Sequence, residues 1–223
     1  MEALPLYISI VFGLTTFITV FFFYKAANNS KPTLIILSVW LLLQAIISLQ
    51  GFYSITNTMP PRFALLILPP LFLIIILLST PNGRRYIDKL DAKTLTILHI
   101  VRIPVEIVLF WLFLNKAIPG LMTFEGRNFD VLSGISAPFI FYFGFIKKKL
   151  SVKLLLVWNF ICLALLINIV FYAILSAPFI FQKFAFDQPN IALLYFPFVW
   201  LPCCIVPLVL LSHLAVIRQL LHR

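Results

Sequence analysis

The sequence predicts an all-α integral membrane protein, a bundle of seven transmembrane helices with its N-terminus outside and its C-terminus cytoplasmic. Three observations lead there. Of the 223 residues 62% are apolar and 11% are charged, whereas an average soluble domain carries about a quarter charged residues; a water-soluble fold lacks the polar surface it needs here. The apolar residues run on without alternation, in stretches near the roughly 20 residues that a helix needs to cross a hydrocarbon core, which excludes a barrel of short alternating strands. Lys plus Arg number 17 against 7 Asp plus Glu, a formal +10, and these charges fall unevenly between the stretches.

The spans are expected at 4–24, 33–55, 63–80, 94–115, 131–146, 154–175 and 190–217. In the first, Glu2 is the only early charge and the apolar run exceeds a signal-peptide core, so it reads as a retained helix. The second carries a polar face at helical spacing, Trp40, Gln44, Ser48 and Gly51. The third is interrupted by Pro69-Pro70, the fifth is the shortest, and the last three hold or border Pro138, Pro178, Pro197, Pro202 and Pro207. Cys162, Cys203 and Cys204 all fall inside spans without a CxxC, so packing is expected of them and neither a disulfide nor a structural zinc. Short loops leave a single domain over 1–223, whose site must lie between the helices or in the loops.

Basic residues set the orientation. Lys25, Lys31, Arg84, Arg85, Lys89, Lys93, Lys147, Lys148, Lys149, Lys153, Arg218 and Arg223 lie on one side of the expected spans. Arg62, Lys116, Arg127 and Lys183 lie on the other. Twelve against four makes the first side cytoplasmic and assigns most of the charge to topology and anionic lipid, not to nucleic acid. The expected location is a bacterial inner membrane.

The fourth span holds the sharpest feature, His99, Arg102 and Glu106 within HIVRIPVE. At about 100° per residue the three share one stripe about 60° wide. Each ionisable group at mid-bilayer costs roughly 2.5–3.5 kcal/mol on the insertion scale, so the stripe must face protein or water. Arg102 and Glu106 are four residues apart and are expected to pair. Pro104 removes a backbone donor and bends the helix beside them. Depth matching brings His213 in the seventh span and Asn159 in the sixth to the level of His99, and Gln44 near that of Glu106.

The fourth loop is the other candidate. Glu125, Arg127, Asn128 and Asp130 stand at the outer mouth of the fifth span, where Met122, Phe124 and Phe129 would fold the loop back as a lid. Asn128 or Asp130 would cap the helix that follows.

These residues carry three functional readings. The first is binding or translocation of a small anionic or amphipathic ligand at an intramembrane site of His99, Arg102, Glu106, Gln44 and His213, with protons relayed by the imidazoles. The second is a membrane-embedded enzyme acting on a lipid or isoprenoid, with Glu106 or His99 as base and Arg102 stabilising charge. The third is a structural or accessory subunit. No cofactor is expected; haem or zinc held through His99 and His213 is the minor alternative. No lysine in the last span is present to carry retinal, and no GxSxG, Glu-Glu or GxGD protease motif occurs.

Overall fold

The computed structural model describes residues 4–222, and among these every regular element is a helix. Eight helices follow in order: α1 Leu6–Ala26, α2 Lys31–Leu49, α3 Ala64–Ser79, α4 Pro81–Asp88, α5 Ala92–Leu114, α6 Val131–Ile146, α7 Val152–Leu175 and α8 Leu201–Leu221. Five of them, α1, α2, α5, α7 and α8, are long and apolar enough to cross a membrane. Helix α3 has 16 residues and turns by 93° into the polar α4. Helix α6 is likewise shorter.

Local chemistry sets the ends. Ser30, Thr80, Asp91 and Ser151 each accept a backbone N–H three residues on, capping α2, α4, α5 and α7. Gly51 adopts φ 72°, which stops the second helix at Leu49 and leaves Phe52–Ser54 as a single 3₁₀ turn, short of the expected boundary at 55. In α1 the buried hydroxyls of Thr15, Thr16 and Thr19 donate to the carbonyls of Val11, Phe12 and Thr15 at 2.8–3.0 Å, so a threonine-rich face is packed without orphaned donors.

The seventh expected span begins too early. Residues 190–199 hold only the 3₁₀ turn Ala192–Leu194: Asn190 bonds the carbonyls of Ser176 and Ala173, while the N–H groups of Ile191 and Ala192 share the carbonyl of Ala117. Pro197 biases Phe196 away from the helical region, and α8 starts only at Leu201. Within α8, Pro207 cannot donate to the carbonyl of Cys203, and the indole of Trp40 takes that place at 2.9 Å.

Helix α8 is the centre of the bundle: 78% of its apolar window is buried, against 22% for α2 and 28% for α7 at the periphery. The exposed side chains of α1, Leu6, Ile10, Leu14, Phe17 and Phe21, recur at helical spacing as an outward apolar stripe. The polar α4 is tied back to the end of α8, where Arg218 holds Asp88 with two bonds and Gln219 holds the carbonyls of Ile87 and Leu90.

Candidate functional site: a buried polar layer

Arg102 organises the site. Its helix passes through one 3₁₀ turn, His99–Val101, just before Pro104, whose missing N–H leaves the carbonyl of Ile100 without its helical donor. Gly134 of α6 packs against this turn, so closely that a Cβ would meet Ile103 Cγ1 at 2.9 Å and Arg102 Cβ at 3.3 Å. Asp130 stands one turn before Gly134, and the close approach lays its carboxylate on the guanidinium, Nη1 to Oδ1 2.5 Å. The same Nη1 reaches the carbonyl of Cys162 on α7 at 3.3 Å, and Nη2 reaches Nε2 of His213 on α8 at 2.8 Å. One side chain thus links three helices.

The expected Arg102–Glu106 pair does not form; Asp130 is the partner. Side chains on a helix lean toward its N-terminus, so Arg102 runs away from the residue one turn after it. Glu106 instead accepts from the amide of Asn128, Oε1 to Nδ2 2.5 Å. That amide also bonds the carbonyl of Met122, and its oxygen takes the backbone N–H of Asp130 at 3.0 Å, ordering the start of α6.

Bond chemistry assigns the histidines. A guanidinium only donates, so Nε2 of His213 accepts and its proton sits on Nδ1, which donates to Oδ1 of Asn159 at 2.9 Å. The amide of Asn159 is held in turn by the carbonyl of Leu155 at 2.8 Å. His213 is therefore the uncharged tautomer. His99 stacks flat on it, ring centroids 3.9 Å apart and 13° between planes, with Trp158 at the edge of both rings. Both nitrogens of His213 are engaged, and among the described residues no three His, Cys, Asp or Glu side chains are grouped to hold an ion.

Two of the four loop residues expected as a lid enter the layer. Asn128 and Asp130 are buried, whereas Glu125 and Arg127 are exposed. Arg127 donates to the hydroxyl of Tyr172 at 2.7 Å and lies over its ring, and Asn168 holds the carbonyl of Arg127 at 2.8 Å. Gln44 is buried elsewhere, accepting from the hydroxyl of Tyr53 on its own hairpin. Ser133, Trp158 and the carbonyl of Cys162 belong to the layer and carry no charge by which the sequence alone marks them. The one available signal was the spacing Asp130–Gly134, a carboxylate one turn from a residue that permits close helix approach.

Five of the nine buried side-chain atoms without a partner among the described residues cluster in this layer: Nδ1 and Nε2 of His99, Nε of Arg102, Oε2 of Glu106 and Oγ of Ser133.

Residues 59–221 match the model of a domain of unknown function, DUF8737, and the chain belongs to that family. The matched segment contains the whole polar layer and excludes Gln44. No curated protein and no solved structure matches the chain.

Proposed function

We propose that this member of the family is a bacterial inner-membrane protein that crosses the bilayer seven times, N-terminus outside and C-terminus cytoplasmic, and binds an amphipathic small molecule at the buried layer of His99, Arg102 and Glu106. The observation that carries the reading is the concentration of unmet hydrogen-bonding capacity in that layer. Buried polar groups are almost always paired, and a network kept only for packing has every member satisfied. Here the Arg102 ion pair is complete, yet His99 beside it and Glu106 one turn further offer free atoms. Arg102 and Asp130 act as the fixed frame. His99, stacked but unbonded, presents two ring nitrogens without partners, and Glu106, without a cationic partner, presents the oxygen that meets the ligand. Both sixteen-residue segments, α3 and α6, complete the seven crossings with the flanking turns.

Mass spectrometry of organic extracts from the purified protein tests this. Wild type is expected to retain an amphiphile that His99→Phe and Glu106→Gln lose. His99→Phe keeps an aromatic ring on His213 and removes two unpaired buried nitrogens, so its melting temperature is expected to equal or exceed that of wild type. An extract without amphiphile in wild type, or an unchanged one in both variants, would overturn the reading.

A further inference from the structure

One helical turn from the polar layer, among α3, α5, α7 and α8, lies an apolar cavity of about 170 Å³. Helix register ties the two together. Leu109 follows Glu106 by three residues on α5, Leu166 follows Cys162 by four on α7, and Leu210 precedes His213 by three on α8. All three line the cavity, about 5 Å along their helix axes from the polar residues. The polar layer therefore lies one turn beyond the cavity, behind these three leucines. Met122 also lines it, and the carbonyl of Met122 accepts from the same Asn128 amide that holds Glu106. Ile167, exposed on the outer face of α7, stands at the rim and marks a way in from the apolar surface.

The polar layer discriminates between head groups. Both terminal nitrogens of Arg102 are occupied, by Asp130, the carbonyl of Cys162 and His213. An anionic head would sit beside two carboxyl groups, those of Asp130 and Glu106. Oε2 of Glu106, in contrast, is an acceptor with no donor, on a side chain only 2% exposed. Resting on the reading that the layer binds an amphiphile, the geometry points to its class: a single-chain molecule whose head donates a hydrogen bond, a hydroxyl or an amine, with the chain in the cavity and the head on Glu106. A fatty-acid head would set its charge against the carboxyl groups of Asp130 and Glu106, so the head expected is a donor recruited by Glu106.

Photolabelling of the full-length protein in detergent with diazirine derivatives of decanol, decylamine and decanoic acid reads this out, with the labelled peptides mapped by mass spectrometry. The alcohol and the amine are expected to label α7 near Leu166 and Ala173 about tenfold more than the acid, the value of about one hydrogen bond. The amine above the alcohol would mark an ionised Glu106, and equal labelling a neutral head. Glu106→Leu is expected to bring alcohol labelling down to that of the acid. Ala173→Phe, which narrows the cavity without touching the polar layer, is expected to abolish labelling by all three probes. If Glu106→Leu does not fold, Glu106→Ala serves, and alcohol labelling should likewise fall to that of the acid. Equal labelling by the acid in wild type, or alcohol labelling unchanged in Glu106→Leu, would overturn the inference. Absence of label on α7 in wild type, with the native amphiphile still lost from Glu106→Gln, would remove the cavity assignment and leave the preceding reading standing.

Discussion

Arg102 illustrates how a buried charge is made tolerable. Its guanidinium trades water for a carboxylate, a carbonyl and an imidazole nitrogen supplied by three other segments of chain. Removing one member of a buried pair strands the other, and that cost, about 3–5 kcal/mol, exceeds what the intact pair contributes over an apolar replacement. Arg102→Met is thus expected to lower unfolding free energy in detergent by about that amount, while Arg102→Met with Asp130→Leu recovers most of it. A double variant no more stable than the single one would show that Asp130 is not the partner that matters. At this scale the sequence disclosed where the cost lies, because three ionisable residues on one apolar helix cannot be hidden. Who meets that cost was not legible: the i, i+4 rule pointed Arg102 at Glu106, and Asp130 lay 28 residues away in what read as a surface loop.

At the scale of elements, the α5–α6 contact decides whether the layer forms. Gly134 lets the two helices approach until Ile103 and Arg102 fill the space a side chain would take. Gly134→Ala is expected to destabilise by about 1–3 kcal/mol through overpacking and to loosen the Arg102–Asp130 pair. Gly13→Ala provides the contrast. A Cβ there meets nothing within 4 Å, and a helix-interior alanine should stabilise by about 0.5–1 kcal/mol. Thermal denaturation of the two variants side by side checks both signs. Hydropathy located the helix starts well wherever a capping side chain marks them, as at Ser30, Asp91 and Ser151, and overran the second helix past Gly51. It failed over 190–199, where the residues are apolar yet the chain is held in irregular form by Pro197 and by the carbonyls of Ala117, Ala173 and Ser176. Apolar composition reports burial, and a buried loop satisfied by distant carbonyls has the same composition as a buried helix.

For the whole molecule, the charge asymmetry leads to a topology that labelling can check. Glu125 and Lys149 are both exposed, on opposite sides of the proposed membrane, and the three native cysteines are buried and free. In cells, Glu125→Cys is expected to react with a membrane-impermeant maleimide and Lys149→Cys only after permeabilisation; the reverse pattern would invert the proposed orientation. The packing of the bundle gives such a topology a consequence. The central helix α8 carries His213 to the same layer as Arg102, so a ligand held from the cavity side touches the helix that contacts most of its neighbours.

The sequence by itself determined that this is a helical, apolar chain with long segments able to cross a membrane, because hydrophobic length and the scarcity of charge act locally and leave few alternatives. It also determined that the fourth of those segments carries the costly groups. Which partners meet those groups, and which atoms are left free, only the tertiary structure decided. Pairing among buried polar atoms depends on ångström-level approach between helices far apart in the chain, here through the bare backbone of Gly134, and no periodicity along one helix encodes that distance.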